Sequence, residues 1–276
     1  MHVYMYMYVY SKSTLISKHS FYIFIPTYTN VLYLFQLVQE FAAGTEYAID
    51  IVSKDGHHKI AALWRYDKRQ ANGAPFVYFA TELVDAQTPE GRIVCDYAMK
   101  ALDALGLKHG LTHSEFIVDE EGARLVEVNC RQHNTNFAPL ANGCIGYNAL
   151  DLLLEAYLGD LPNLPIETEH LRLSWDDVPD YPLTRACGAV VHLVCFQEGE
   201  LIQINTDILD EIESLPSVYM MEIYDHFEVG NEIEKTIDIR SDSGWIHLIN
   251  EDKHQFERDY NRIVELMPLM FTVKSP

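Results

Sequence analysis

Acidic, amide and basic side chains alternate along residues 127–131, where Val128 and Cys130 separate Glu127, Asn129 and Arg131. Alternation of this kind places the three polar side chains on one face of a β-strand. Carboxylate and amide oxygens are ligands that Mg²⁺ accepts, together with phosphate oxygens. An arginine on the same edge could bind a phosphate group or stabilise a developing oxyanion. The stretch is therefore a candidate site for a metal ion and a phosphorylated ligand.

A second carboxylate comes from the strand that precedes this one. Residues 111–119 predict a strand, and the Glu-Glu-Gly sequence at 120–122 predicts a three-residue loop whose glycine takes the left-handed conformation. In the resulting hairpin Glu115 lies opposite Glu127, and His113 falls on the same face. Opposed carboxylates about 5 Å apart repel unless a positive charge lies between them. Spacing alone leaves open the alternative of a solvated hairpin face with incidental acids.

Predicted helices and strands on both sides must position this hairpin. Turn residues and hydrophobic periodicity predict an alternation of the two, with helix-capping residues at Thr88 and Gly106. The predicted strands are 46–53, 59–66, 76–79 and 123–130, with a polar loop at 67–75 and further strands between 187 and 248. The predicted helices are the segment after Thr88-Pro89, residues 148–158 and residues 252–267.

Charge and cysteine content exclude several classes of function. The chain has 276 residues, with 41 Asp and Glu against 20 Lys and Arg, and a formal net charge of −21. Surfaces that bind nucleic acid or anionic membranes carry basic patches, so neither partner is expected. A polyanionic small ligand remains compatible when a few local cations or a metal hold it. Five scattered cysteines without a Cys-x-x-Cys pair predict free thiols in a reducing compartment, and hence a cytoplasmic protein.

The first 36 residues differ in composition from the rest. Tyrosines alternate at positions 4, 6, 8 and 10, and no Asp or Glu occurs before Glu40. A secretory signal needs a compact apolar run and a small-residue cleavage site, and neither is clear here. A membrane span needs about 20 apolar residues, and Lys12 and Lys18 interrupt the run. We therefore interpret residues 1–36 as an atypical lead, from a misjudged start or a truncation, that lies outside the fold.

Two motifs together resemble the ATP-grasp superfamily. Glu115-Phe116, with Glu127-Val128-Asn129-Cys130-Arg131 beginning twelve residues after Glu115, is similar to its metal-binding signature. The upstream segment 38–47, Val-Gln-Glu-Phe-Ala-Ala-Gly-Thr-Glu-Tyr, resembles its nucleotide hinge. The resemblance is to carboxylate–amine ligases of the L-amino-acid ligase type. It covers residues 37–160 and continues more weakly to the end, where residues 230–238 resemble the β-rich C-terminal part of such ligases.

The resemblance implies a metal site and a reaction. Glu115, Glu127 and Asn129 would hold one or two Mg²⁺ ions, with Mn²⁺ as an alternative metal, that bridge the phosphates of ATP. Arg131 would contact the acyl phosphate or the transferring phosphoryl group. The implied reaction is phosphorylation of a carboxylate by ATP, followed by attack of an amine on the acyl phosphate. The implied partners are ATP and a small amino-acid-like carboxylate or amine, and a homo-oligomer is left open.

The resemblance also implies a nucleotide site. Glu46 would accept hydrogen bonds from the ribose hydroxyls. Lys68, on or beside the predicted 67–75 loop, is a candidate for reaching the phosphates or the substrate carboxylate, with an ordinary solvated hairpin tip as the alternative. Adenine would meet the backbone of four consecutive residues, Gln39, Glu40, Phe41 and Ala42.

Polar residues near the signature are further candidates. His113 could orient a ligand, and a structural, hydrogen-bonded histidine is an equal alternative. His133, Asn134 and Asn136 could line a substrate pocket, or cap the loop in which they lie.

The resemblance predicts an α+β fold divided along the chain. After the lead at 1–36 come a partial ATP-grasp domain at 37–160, built as an antiparallel sheet with helices, a linker at 161–182 and a small β-rich domain with a final helix at 183–276. Such ligases also carry a strand with a lysine and a glycine-rich loop that grip the phosphates, and neither is found before Val38. We therefore expect this chain to be weak or inactive by itself. The alternative is a non-catalytic ATP-grasp remnant that serves as a nucleotide-binding or interaction module.

Overall fold

The computed structural model describes residues 42–133, 136–159 and 173–274, together with the backbone of three earlier strands. These strands are Met7–Tyr8 (β1), Phe21–Ile25 (β2) and Leu34–Val38 (β3). They pair antiparallel in a sheet of their own, in the order β1-β2-β3. The expectation that residues 1–36 lie outside the fold stays a prediction.

One antiparallel sheet of eight strands organises the remaining described residues. The strands from residue 42 onward are Thr45–Lys54 (β4), His57–Ala71 (β5), Ala74–Val84 (β6), Gly110–Asp119 (β7), Gly122–Asn129 (β8), Cys187–His192 (β9), Gly199–Ile204 (β10), Val218–Ile223 (β11), Glu232–Ile233 (β12), Gly244–Asn250 (β13) and Phe271–Lys274 (β14). The large sheet has the order β11-β13-β9-β6-β5-β4-β7-β8, and a smaller sheet has the order β12-β10-β14. This architecture, an antiparallel sheet with helices, confirms the predicted α+β class.

Helices cover both faces of the large sheet. They are Pro89–Leu105 (α1), Phe137–Cys144 (α2), Ala149–Leu158 (α3), Thr206–Glu213 (α4) and Lys253–Leu266 (α5). Strand β4 shows the two-sided packing, because Tyr47, Ile49 and Ile51 join the cluster under α1 while Ala48 and Val52 join the cluster under α2 and α3. All five side chains are 0% exposed. A strand buried on both faces gives this central part of the sheet a rigid base.

The predicted helices at 148–158 and 252–267 and the capped helix after Thr88 are confirmed. Thr88 Oγ1 accepts a hydrogen bond from the Gly91 backbone, and Gly106 ends α1 in the left-handed conformation with φ +71°. The short helices α2 and α4 are absent from the prediction. Pro139 and Gly143 obscure the helical period in α2, whose stability comes from packing its buried face on the sheet.

The predicted polar loop at 67–75 is wrong. Strand β5 continues to Ala71 and β6 begins at Ala74, so that only Asn72 and Gly73 form the turn, both with positive φ. The polar residues of this segment fit a strand because their charges are paired across neighbouring strands and along the same one. The polarity of a short segment does not reveal whether its charged side chains are paired within a sheet.

The two chain segments that we predicted as domains contribute strands to the same large sheet. Strands β9, β11 and β13 of the C-terminal segment share the large sheet with β4 to β8. Part of the predicted linker, residues 161–172, lies outside the described residues, whereas Trp175 is buried in the core cluster under α2 and α3. The domain boundaries stay a prediction.

Two global features bear on the predicted environment. All five cysteines are free thiols. Within the described ranges, no helix has both the length and the apolar character needed to cross a bilayer.

Candidate functional site

The β7–β8 hairpin places Glu115 directly opposite Glu127, as predicted. The turn differs from the prediction, because Asp119 pairs with Gly122 and the connection is one residue shorter. A β-bulge at Val126 adds the missing residue and restores the expected register before Glu127. The bulge therefore decides that the two carboxylates meet on one face.

The oxygen donors of this face suit a divalent cation. His113 pairs with Asn129 one step beyond the two glutamates, so all four side chains share the face. Asn129 Nδ2 donates to Glu127 Oε1 at 2.6 Å. Glu127 is exposed, and among the described residues it makes no ion pair. Two carboxylates and an amide are a donor set that fits Mg²⁺, which also keeps water or phosphate oxygens.

A buried aspartate on the neighbouring strand orients the first of these carboxylates. Asp50 on β4 lies opposite His113 on β7, with Nδ1 of the histidine 3.0 Å from Oδ1 of the aspartate. His113 Nε2 lies 3.5 Å from Glu115 Oε1, and Trp64 Nε1 donates to Asp50 Oδ2 at 2.8 Å. Asp50 and His113 are 3% and 1% exposed. The chain of contacts fixes the Glu115 side chain from within the sheet.

The charges of this cluster follow from burial and hydrogen bonding. Burial by itself lowers the pKa of His113, but the hydrogen bonds to Asp50 and Glu115 raise it to about 9. Burial would raise the pKa of Asp50, and the hydrogen bond from His113, together with the nearby His133 ring, holds it well below its usual range instead. The hydrogen bond from His113 also lowers the pKa of Glu115. An imidazolium between two carboxylates therefore keeps Glu115 ionised and ready to bind a cation.

His133 completes the buried end of the cluster. Its ring stacks on Phe137 with the centroids 3.7 Å apart, and its Nδ1 lies 3.6 Å from Asp50 Oδ2. Burial lowers the pKa of His133, which favours the neutral ring. Donor atoms of Asp50, His113 and His133 all lie within 4.8 Å of one another. Because His113 already directs a proton at Asp50, the group is a hydrogen-bonded support for the exposed face.

Arg131 lies in a bend just after β8 and remains accessible. Its Nη1 donates to the backbone carbonyl of Gln132 at 2.9 Å, and it makes no ion pair with any described residue. Arg131 and Glu115 line the same cavity, whose volume is about 590 Å³. Asn136 also lines it, whereas Asn134 lies outside the described residues. A guanidinium without a carboxylate partner at the edge of a cavity can receive an anionic ligand.

Two residues predicted to meet a nucleotide contact each other. Lys68 Nζ lies 2.6 Å from both carboxylate oxygens of Glu46. Burial lowers the pKa of Lys68, but the contacts with Glu46 and Tyr78 together outweigh it and the net shift is upward. The ammonium also lies 4.3 Å from the centre of the Tyr78 ring, which lines the cavity. A ligand that uses either residue must accommodate or open this ion pair.

Of the four residues predicted to contact adenine, only the last belongs to the described residues. Gln39, Glu40 and Phe41 lie outside the described residues, and Ala42 is half-buried at the start of the described segment.

Sequence reasoning missed the cavity wall that the C-terminal segment contributes. His192, Tyr224, Asp242 and Trp245 line the same cavity as Glu115. They meet because β9 pairs with both β6 and β13. No local sequence pattern marks these residues, since the β9–β13 pairing joins residues about fifty positions apart along the chain.

The fold has solved counterparts. L-amino acid ligase from Bacillus licheniformis matches with a TM-score of 0.65 at 16% identity, over 87% of this chain and 56% of that chain. Phosphoribosylglycinamide synthetase from Anaerococcus prevotii matches with a TM-score of 0.62 at 13% identity, over 87% and 56%. The chain has the ATP-grasp fold. A third ATP-grasp match is N5-carboxyaminoimidazole synthase from Aspergillus clavatus, solved with ADP and 5-aminoimidazole ribonucleotide, with a TM-score of 0.55 at 16% identity over 84% and 54%.

Sequence similarity to curated proteins is shorter. Dapdiamide A synthase from Enterobacter agglomerans is 27% identical over 123 residues, which is 44% of this chain and 28% of that protein. No family model matches the sequence. The chain thus spans little more than half the length of the solved ATP-grasp structures above and a smaller part of the synthase.

Proposed function

We propose that this chain takes part in the ATP- and Mg²⁺-dependent joining of a carboxylate to an amine through an acyl phosphate. The observation that carries the proposal is the opposition of Glu127 to Glu115, which lines a cavity together with Arg131, a guanidinium without an ion pair among the described residues. The ligase and synthetases that share the fold, one of them solved with ADP, support the reaction class.

Each residue of the hairpin face has a part in this proposal. Glu115, Glu127 and Asn129 would hold the Mg²⁺ that accompanies ATP, and the bound ion would supply neutralisation of the phosphate charge. Arg131 binds the transferring phosphoryl group and then the acyl phosphate. The Asp50–His113 pair keeps Glu115 ionised and fixed in direction, so the face is organised before the ligand arrives.

The nucleotide base and sugar contacts form the second part of the proposal. The backbone of residues 39–42 binds adenine, Glu46 accepts from the ribose hydroxyls and Lys68 contacts a phosphate. The position of Lys68 and Glu46 beside Tyr78 of the cavity lining supports this arrangement, in which the nucleotide opens their ion pair.

The test is the metal dependence of nucleotide binding. Calorimetric titration of the full chain with ADP is expected to show tighter binding in Mg²⁺ than in EDTA. Glu127→Gln removes one charged metal ligand and should weaken the Mg²⁺-dependent part about tenfold or more, as even loss of an indirect metal contact costs that much. Glu120→Gln, an exposed glutamate in the turn of the same hairpin, is the matched control and should bind as the unaltered chain does.

Turnover is measured separately. Incubation with ATP, Mg²⁺ and a panel of amino acids in hydroxylamine tests whether this chain forms an acyl phosphate, which hydroxylamine would trap as a hydroxamate. Nucleotide binding that ignores both Mg²⁺ and Glu127 contradicts the proposed site. Mg²⁺-dependent binding without hydroxamate favours the non-catalytic nucleotide-binding module.

A further inference from the structure

A histidine and an aspartate form a buried pair in the C-terminal wall of the cavity. His192 ends β9, and Asp242 lies in the loop before β13. His192 Nδ1 is 2.9 Å from Asp242 Oδ2, and the two side chains are 7% and 2% exposed. Backbone hydrogen bonds from Ser243 to Leu193 and from Leu193 to Gly244 fix the loop beside the end of β9. The pair is therefore held by the sheet itself.

The geometry defines which nitrogen of His192 can react. A carboxylate only accepts hydrogen bonds, so Nδ1 carries the proton, and in that tautomer the lone pair lies on Nε2. The Thr81 hydroxyl lies 3.4 Å from Nε2, which is long for a hydrogen bond between oxygen and nitrogen. By contrast, both ring nitrogens of His113 face carboxylates, at 3.0 and 3.5 Å. His192 thus presents a weakly engaged acceptor at the cavity wall.

The charge of the pair is incompletely balanced. Asp242 Oδ1 is buried and has no hydrogen-bond partner among the described residues. A half-satisfied buried carboxylate behind an imidazole favours a positive group in front of the ring. The described lining of the cavity places one guanidinium, that of Arg131, and it belongs to the hairpin side. The cavity therefore separates an anion-binding side from a wall that favours a cation.

Apolar surface surrounds the pair in the same wall. Val190 and Trp245 are 2% and 6% exposed, and Tyr224 and Ile239 complete this part of the lining. Such surface excludes water from a bound alkyl group while the imidazole provides the polar contact.

We infer that the His192–Asp242 pair is the amine subsite of this cavity, where His192 Nε2 accepts a hydrogen bond from a primary amine and takes up its proton. The inference rests on the proposed ligase function and adds the group that handles the second substrate. Asp242 is a positioning residue, since it holds the imidazole in the tautomer with a free Nε2.

The bonds and protons of the proposed step at the amine nitrogen balance as follows. The incoming substrate binds as an ammonium, and one of its protons passes through His192 Nε2 to solvent, which leaves a neutral amine. Its lone pair forms the C–N bond to the acyl carbon while the C–O bond to phosphate breaks and inorganic phosphate leaves with the electron pair. The amine proton released in this step passes to His192 Nε2, and the resulting imidazolium returns it to solvent. No oxidant or reductant is required.

The test is binding of a primary amine to the full chain, with L-leucinamide as the probe and 4-methylpentanamide as its isostere without the amino group. Nuclear magnetic resonance of ¹⁵N-histidine-labelled protein should show the Nδ1–H tautomer of His192 and a saturable shift of its Nε2 signal with leucinamide alone. Calorimetry should show that His192→Ala and Asp242→Asn each weaken leucinamide binding about tenfold, the effect of losing a hydrogen bond to a charged group. Binding of ADP with Mg²⁺ should stay within about twofold in both variants.

His254→Ala is the matched control, because His254 is an exposed histidine at the start of α5 with 83% of its side chain accessible. Circular dichroism of each variant verifies the fold, and the resonance measurement needs no variant. An unchanged Nε2 signal, or leucinamide binding that both variants and the isostere reproduce, overturns the inference. His192-dependent amine binding in a chain that binds no nucleotide would overturn the ligase proposal and leave the amine site standing.

Discussion

Replacing Asp50 by asparagine removes the charge that holds His113 protonated inside the sheet. The asparagine has the same shape, and its side-chain oxygen can still accept from Trp64 Nε1, which lies 2.8 Å from Asp50 Oδ2. It cannot stabilise an imidazolium, so the pKa of His113 should fall toward its ordinary value. The substitution therefore isolates the electrostatic part of the Asp50–His113 contact.

The magnitude follows from the pKa of His113. A rise from 6.5 to about 9 corresponds to about 3 kcal/mol of stabilisation. Because the folded-state pKa is the higher one, this stabilisation is fully present below pH 6.5 and is lost as the pH rises through about 9. Breaking a buried ion pair by removing one partner costs a similar amount, about 3 to 5 kcal/mol. At pH 6 we expect Asp50→Asn to lower the free energy of unfolding by about 3 kcal/mol.

The assay is urea unfolding in EDTA, followed by circular dichroism between pH 6 and pH 9. Because Glu115 also raises the pKa of His113, the free energy of unfolding of the unaltered chain should fall across this range by at most about 3 kcal/mol more than that of Asp50→Asn. Asp55→Asn is the control, since Asp55 faces His109 at 3.5 Å with 80% of its side chain exposed, and such surface pairs contribute little. Parallel pH curves for the chain and Asp50→Asn would refute the reasoning.

Two further substitutions test local stability by thermal and urea unfolding. Gly244 has φ +153°, and an added Cβ would lie 2.0 Å from the Glu222 carbonyl oxygen, so Gly244→Ala should cost at least about 2 kcal/mol. Gly73→Ala, at φ +82° with open space around it, should cost about 1 kcal/mol, and equal losses would contradict the clash. Asn148 caps α3 through its side chain, so Asn148→Ala should cost about 1 kcal/mol. Asn136 makes no such bond at the start of α2, so the cap explanation fails if Asn136→Ala is equally harmful.

Local sequence carried enough information for the hairpin and the capped helices. Thr88, Gly106 and the periodic stripe between them depend on contacts within one helix, and the structure confirms them. The pairing of Glu115 with Glu127 was also reached from alternation. The structure forms this pairing differently from the prediction, because the turn is one residue shorter and the bulge at Val126 compensates for it. A bulge depends on how a strand twists against its neighbour, which a single strand does not encode.

Polarity misled the prediction where charged side chains were paired within the sheet. Residues 67–75 look like a solvated loop, yet Lys68 is satisfied by Glu46 and Arg69 by Asp67, so the segment continues as strand. The short helix α2 was missed for the opposite reason, since its own propensity is weak and burial of its inner face stabilises it.

The sequence by itself determined which oxygen donors share a face, because strand alternation and a twelve-residue separation act within one hairpin. It also determined, through the resemblance of those residues, the fold that solved structures share with this chain. Only the tertiary structure decided that Asp50 lies behind His113, that Lys68 faces Glu46, and that the His192–Asp242 pair closes the same cavity. These contacts depend on the strand order, which is set by how helices pack on both faces of the sheet and not by any residue's immediate neighbours.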